Sequence, residues 1–210
     1  MDWIILINKP KEWTSHDIVN KVKKILNEKV GHTGTLDPMA TGVLPLLVGK
    51  GTLCSKYLIN HNKTYKVKLE LGKKTDTADT EGKIVEEKEV TNKMLEETVI
   101  KEVLNKFLGK QEQIPPIYSA IKVNGKKLYE YARKGQTVEI KPRQIEIYSI
   151  ELLSIDKKLK QIEFEVSCSK GTYIRSLCED IGNKLRNCSI YERIAKNQGW
   201  GFFYNKCNKY

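Results

Sequence analysis

"KTYKVKLELG", Lys63 to Gly72, carries an apolar residue at every second position: Tyr65, Val67, Leu69 and Leu71 alternate with Lys66, Lys68 and Glu70. A period of two places those apolar side chains on one face of a strand, buried, with the charged face wet. The same alternation returns at Ile162, Phe164, Val166 and Cys168, reached through the turn-forming stretch Asp156 to Lys160 from a strand bearing Ile145, Ile147 and Ile150. Strand, turn and strand is the signature of an antiparallel hairpin. A short buried strand is expected at Trp3 to Ile7, stopping at Lys9-Pro10, and a central one at "VLPLLVG", Val43 to Gly49. Ile84 and Val85 open another strand, after a polar loop "KKTDTADTEG" from Lys73 to Gly82.

Helices fill the intervals. Thr14, Ser15 or Asp17 can cap a helix whose Ile18, Val22, Ile25 and Leu26 share one face, with lysines opposite. Thr91 to Leu108 has the pattern of one long amphipathic helix closed by Gly109. Asn124-Gly125 marks a tight turn before a short helix from Lys127 to Lys134, and a final helix starts near Tyr173 with Ile174, Leu177, Ile181 and Leu185 on one side. Strands outnumber helices and recur as hairpins, so the fold class is α+β, a mixed, mostly antiparallel sheet flanked by helices. No internal repeat and no long linker interrupts it.

With 210 residues the chain can bury one sizeable core, or a core plus a small appendage. Its 40% hydrophobic and 30% charged content belongs to a globular protein, and its formal charge of +11 attracts polyanions, nucleic acid first among them. A solvated basic surface is the plainer alternative. The five cysteines form no C-x-x-C pair, and their odd number argues for free thiols in a reducing compartment. "MDWIILINKP" is too short to span a bilayer and lacks the basic start of a signal peptide, so a cytoplasmic location with no membrane partner is expected.

Familiar ligand motifs fail one by one. "GKGT", Gly49 to Thr52, has Gly51 where a phosphate loop needs Ser or Thr after its Lys. "DTADTEG" has Ala78 where a calcium loop needs an oxygen ligand, and Glu81 where it needs Gly. His16, His32 and His61 show no ligand spacing, and no G-x-G-x-x-G follows a strand. A chain working without metal or cofactor is expected.

What remains is "GHTGTLDPMATGVLP", Gly31 to Pro45, free of Lys, Arg and Glu and holding one carboxylate, Asp37. Pro38 favours an extended or turn conformation at Asp37, and Gly31, Gly34 and Gly42 permit sharp turns or close approach of a ligand. Either Asp37 is a reactive group on a rigid loop, or it caps a turn.

This stretch resembles the catalytic motif of the bacterial tRNA pseudouridine synthases that modify the T-loop uridine, the TruB family. "NKPKEWTSHDIV", "KTYKVKLELGKKTDTADTEGKIV", "IPPIYSAIKVNGKKLYEYARKG" and "CSKGTYIRSLCEDIG" are similar to further family motifs and stand in family order, from Ile5 to about Leu185. The resemblance implies the pseudouridine synthase fold and isomerisation of uridine to pseudouridine in the T-loop (the TΨC arm) of tRNA. Asp37 matches the nucleophile, which attacks either the ribose C1′ or the base C6, and Arg175 the cation that pairs with it, a surface charge being the alternative. Tyr65 matches the tyrosine that stacks on a flipped-out base, Tyr173 another substrate contact, and His32 the residue that wedges into the vacated space. Each tyrosine can instead be a core aromatic. Lys9, Asp76 and Lys170 fall in matching loops, with Lys122, Lys126, Lys127, Lys141 and Arg143, and the basic ones are expected to contact phosphates.

Residues 187–210 depart from the family pattern. They are expected to be a divergent or truncated tail with neither a clean helix or strand period nor the small C-terminal RNA-binding domain that family members often carry, so that 1–186 forms the catalytic domain. The enzyme reading implies a monomer acting on the T-arm stem-loop. A non-catalytic protein that binds and refolds tRNA is the alternative. An RNA hydrolase would need clustered carboxylates with a metal, or paired histidines, and neither is present.

Overall fold

Trp3–Lys9 forms the first strand, β1, and ends there because Pro10 has no N–H to continue a ladder. In the computed structural model, which describes residues 2–58, 62–80 and 82–197, β1 lies antiparallel to β3 (Thr41–Val48), from Trp3 opposite Val48 to Lys9 opposite Gly42. The helix α1 (Ser15–Leu26) and the short β2 (Val30–His32) connect them, and β2 pairs antiparallel with the far end of β3. β3 is central as expected, with Leu44, Leu46, Leu47 and Val48 essentially inaccessible. β1 is not the buried strand expected of it: Trp3 and Ile4 are about half exposed, because β1 lies at the end of its sheet.

Thr14 caps α1 through a reciprocal box. Its hydroxyl accepts the Asp17 N–H at 3.0 Å, and the Asp17 carboxylate accepts the Thr14 N–H at 2.9 Å. Ile18 and Val19 are buried, whereas Ile25 is exposed and, with Val22, lines an open groove with Ile7, Pro10 and Trp13. Hydrogen bonds from the Thr14 hydroxyl and then its amide hold the Asp17 carboxyl below its usual range. A carboxyl that titrates lower when folded stabilises fully above its unfolded value, about pH 3.9, and loses that contribution as pH falls through the depressed value. The difference in urea midpoint between wild type and Asp17→Asn should therefore be present at pH 7 and shrink below about pH 3.9. An unchanged difference at low pH would place the stabilisation elsewhere.

A 3₁₀ turn (Gly49–Cys54) and the single-turn α2 (Ser55–Leu58) precede β4 (Lys63–Leu71), where Tyr65, Val67, Leu69 and Leu71 are buried as their alternation requires. The chain divides into two units, 1–66 with 193–210 and 67–192, and the division falls within β4. In the second unit Lys73–Thr75 (β5) pairs antiparallel with Ile84–Glu87 (β6), so the strand expected at Ile84 forms, and the start of the expected polar loop is its partner strand. β5 is only three polar residues long and all of β6 is exposed, so no alternation marked their pairing.

Thr91 to Leu108 is not one helix. Glu96 is extended, with ψ 134°, and separates a 3₁₀ turn (Asn92–Leu95) from α3 (Glu97–Asn105). Leu95 is buried before the break, and the Glu96 carbonyl accepts the Ile100 N–H to start the new helix. β7 (Gly109–Gln113), β8 (Lys122–Val123), β9 (Lys126–Lys127) and α4 (Leu128–Arg133) follow. Asn124 and Gly125 both take positive φ, 50° and 80°, as the tight turn between β8 and β9 demands. β10 (Arg143–Asp156) pairs antiparallel with β7 on one side and β11 (Gln161–Cys168) on the other. The Asp156 carboxylate accepts the Lys158 and Leu159 N–H groups, both at 2.9 Å, and closes the β10–β11 turn. The α+β class with a mostly antiparallel sheet therefore holds.

α5 (Ile174–Lys184) buries Ile174, Leu177 and Ile181. β12 (Ser189–Asn197) runs where no regular period was found, because Cys188, Ser189, Ile190 and Tyr191 are all buried. With both faces covered, a strand has no alternation to show. In the first unit, its Ala195 and Lys196 pair parallel with Thr41 and Gly42. The rest of the expected tail, 198–210, lies outside the described residues.

Gly182 in α5 permits this approach: a Cβ there would meet the Ser189 hydroxyl and lie 2.8 Å from the Ser189 Cβ and 3.0 Å from its nitrogen. The same hydroxyl donates to the Cys178 carbonyl at 2.6 Å. Alanine gains about 1 kcal/mol over glycine in a helix interior, but overpacking against backbone costs about 1–3 kcal/mol. Gly182→Ala should therefore lower the urea-unfolding free energy by up to about 2 kcal/mol, and Ser189→Gly in the same chain should restore part of it. A gain in stability would refute the contact.

Cys168, Cys178 and Cys188 are buried, with burial pushing the Cys178 thiol far up, whereas Cys54 is exposed. No helix among the described residues is long and apolar enough to cross a membrane.

Candidate active site

Asp37 is half-buried in the loop between β2 and β3. Proline at 38 has no N–H, but its carbonyl is taken twice, by the Glu12 N–H at 2.9 Å and by the Lys9 ammonium at 2.9 Å. The Asp37 carbonyl accepts the Ala40 N–H at 3.0 Å. Lys9 has no exposed surface, and its ammonium also donates to the carbonyls of Pro10, at 2.8 Å, and Trp13, at 2.6 Å. Burial pushes the Lys9 pKa down, while the carboxylates of Asp37 and then Asp17 pull it back up. The expected role of Lys9 as a phosphate contact is therefore corrected. With its ammonium buried and its three donors spent on carbonyls, it ties the Asp37 loop to the β1–α1 connection. His32 is half-buried on β2, opposite Leu46 of β3, and Tyr65 is buried on β4.

In the second unit, Arg175 lies in the first turn of α5, 8% exposed, and donates to the Tyr118 carbonyl at 3.0 Å. Tyr173 is half-buried at the N-cap position of the same helix, its backbone held at both ends by the buried Gln113 amide. Gln113 accepts the Tyr173 N–H at 2.8 Å and donates to its carbonyl at 3.0 Å. The Ser176 hydroxyl adds a bond to the Ile114 carbonyl at 2.9 Å, so the 113–118 segment and the start of α5 are fixed together. Asp76 is exposed and accepts the Lys83 N–H at 2.8 Å. Lys170, Lys122, Lys126, Lys141 and Arg143 are exposed, and Lys127 is half-buried with its ammonium 5.4 Å from the Tyr129 ring centre.

The structure thus brings Lys9 and Asp37 to one loop, and Tyr173 and Arg175 to one helix start. Gln113 was not anticipated. No apolar alternation in "GKQEQ" marks it; in the structure exposure alternates along β7 and turns Gln113 inward. Among the described residues no three His, Cys, Asp or Glu side chains are grouped to hold a metal ion.

The strand arrangement is that of the pseudouridine synthases. It is shared with a solved structure described as "Crystal Structure of a Cbf5-Nop10-Gar1 Complex", with a TM-score of 0.70 and 31% identity over 93% of this chain and 48% of that one. A second, "Structure of H/ACA RNP bound to a substrate RNA containing 2'-deoxyuridine", gives 0.66 and 28% over 93% and 46%. Residues 23–174 match the family described as TruB family pseudouridylate synthase (N terminal domain), and the chain belongs to that family. It is 54% identical over 189 residues to tRNA pseudouridine synthase B of Clostridium kluyveri, covering 90% of this chain and 63% of that protein. The match to the protein of the same name from Clostridium tetani is 53% over 186 residues, or 88% and 63%. The chain spans less than two thirds of the length of these relatives.

Proposed function

We propose that this chain is a tRNA pseudouridine synthase that isomerises the T-loop uridine, with Asp37 as its nucleophile. The observation that carries the reading is the fixed loop. A single carboxylate stands beside a carbonyl held by a buried ammonium and a backbone N–H, in a chain about half identical to proteins named tRNA pseudouridine synthase B. Such a loop suits a nucleophile, because its orientation is set before the substrate arrives.

The reaction is redox-neutral and calls on neither metal nor cofactor. The Asp37 carboxylate adds to C1′ or to C6, the N1–C1′ bond breaks, and the base turns. C5 then bonds to C1′ and loses its proton, while N1 gains one and the carboxylate is released. Splitting one displacement into two through a covalent intermediate lowers each barrier. The resemblance assigns Arg175 as the charge partner of the nucleophile, Tyr65 and Tyr173 as contacts of the flipped-out uridine, and His32 as the residue filling its place. Asp76 and the exposed Lys170 are assigned to the RNA as well. Stacking on an aromatic ring is worth about 1–3 kcal/mol and offsets the cost of unstacking the base. The enzyme acts as a cytoplasmic monomer on the T-arm of tRNA, and residues 1–186 form its catalytic domain.

The test is a T-arm stem-loop labelled with tritium at uridine C5. Isomerisation releases the label to water, and a loop with cytidine in place of the target releases none. Tight binding of the stem-loop without release would refute the isomerase and leave a tRNA-binding protein.

A further inference from the structure

Ser15 is the first residue of α1, yet its hydroxyl takes no part in capping that helix, which Thr14 and Asp17 accomplish between them. It is 2% exposed and reaches across to the Asp37 loop, where it accepts the Leu36 N–H at 2.8 Å and donates to the Leu36 carbonyl at 3.1 Å. Both polar backbone groups of the residue before Asp37 are thus bonded to one buried oxygen. On the other side of Asp37, the Pro38 carbonyl is held by Lys9 and by Glu12. Leu36 itself is 3% exposed, so its N–H and carbonyl have little water to turn to if the hydroxyl is removed.

We propose that the Ser15 hydroxyl is a positioning group for Asp37, fixing the loop at residue 36 so that the carboxylate meets its target in a single orientation. This rests on the reading of Asp37 as nucleophile. The Ser15 hydroxyl bonds to the backbone of Leu36 rather than to the carboxylate, and at 2% exposure it offers RNA almost no surface. Its loss should slow the chemical step and leave RNA binding intact, since a displacement of about 1 Å at a reacting group can cost about 100-fold in rate.

The experiment compares wild type, Ser15→Ala, Ser15→Thr and Asp37→Asn in the tritium-release assay, with amide hydrogen exchange followed at Leu36. Ser15→Ala should lower kcat by about 10- to 100-fold with KM within about twofold. It should also speed exchange at Leu36 while the amides of β3 stay protected. Ser15→Thr, which keeps the hydroxyl, should recover much of kcat. The proposal fails if Asp37→Asn is inactive but Ser15→Ala keeps kcat within about twofold of wild type. It fails equally if Leu36 exchange is unchanged, an outcome readable even without turnover, or if kcat merely follows the folded fraction. Full activity in Asp37→Asn would instead refute the nucleophile reading on which the proposal rests.

Discussion

Asp37→Asn should abolish tritium release, lowering kcat by at least about 10³-fold, because a neutral amide cannot take the place of the attacking carboxylate. The substitution is nearly isosteric, and several bonds shape the loop through its backbone. Ala40 bonds to the Asp37 carbonyl, Glu12 and Lys9 to the Pro38 carbonyl, and Ser15 to the backbone of Leu36. The fold should therefore persist, with stability within about 1 kcal/mol of wild type, and stem-loop affinity should change little. Lys9 would lose the larger of the two carboxylate influences that hold its pKa up, which moves its titration further down. Circular dichroism, filter binding and tritium release on one preparation separate these effects. Residual turnover within tenfold of wild type would remove Asp37 from the role of nucleophile.

Lys9→Met should give the largest loss of stability among these changes, about 2–4 kcal/mol in urea unfolding. Methionine replaces the buried stem well, and the protein no longer has to bury an ammonium. That gain is outweighed, because the carbonyls of Pro10, Trp13 and Pro38 lose a charged donor at 2.6 to 2.9 Å. Arginine is no substitute, since a planar guanidinium cannot direct donors at carbonyls arranged around a single nitrogen. Under conditions where the variant stays folded, kcat should still fall by about tenfold or more, because the segment after Asp37 has lost one of its two ties. Stability within about 0.5 kcal/mol of wild type would mean that the buried ammonium contributes nothing net.

Much of this architecture could be seen in local pattern. The alternation in β4 and β11, the Asn124-Gly125 turn, the start of α5 and the central β3 all follow from periods and turn residues acting over a few positions. Asp37 stood out because a charge-poor, glycine-bearing stretch isolates it. The capping residue of α1 was narrowed to three candidates, and the reciprocal bonds of Thr14 and Asp17 released Ser15 for other use.

Tertiary structure decided the rest, for identifiable reasons. Exposure of Trp3 and Ile4 depends on β1 having no strand beyond it among the described residues, which no period within β1 can express. β12 carries no alternation because both faces of its first half are covered, and the helix expected from Thr91 to Leu108 breaks where Glu96 turns extended. Lys9 shows the limit most plainly. In the sequence it is one lysine of a basic chain, indistinguishable from those that would meet phosphate. Only the placement of distant carbonyls around its ammonium makes it a buried tie of the Asp37 loop. Alternation and turn chemistry determine which segments become strands and helices, because those preferences act between near neighbours. Which polar side chains end up inside, and what they hold there, depends on groups brought together from far along the chain.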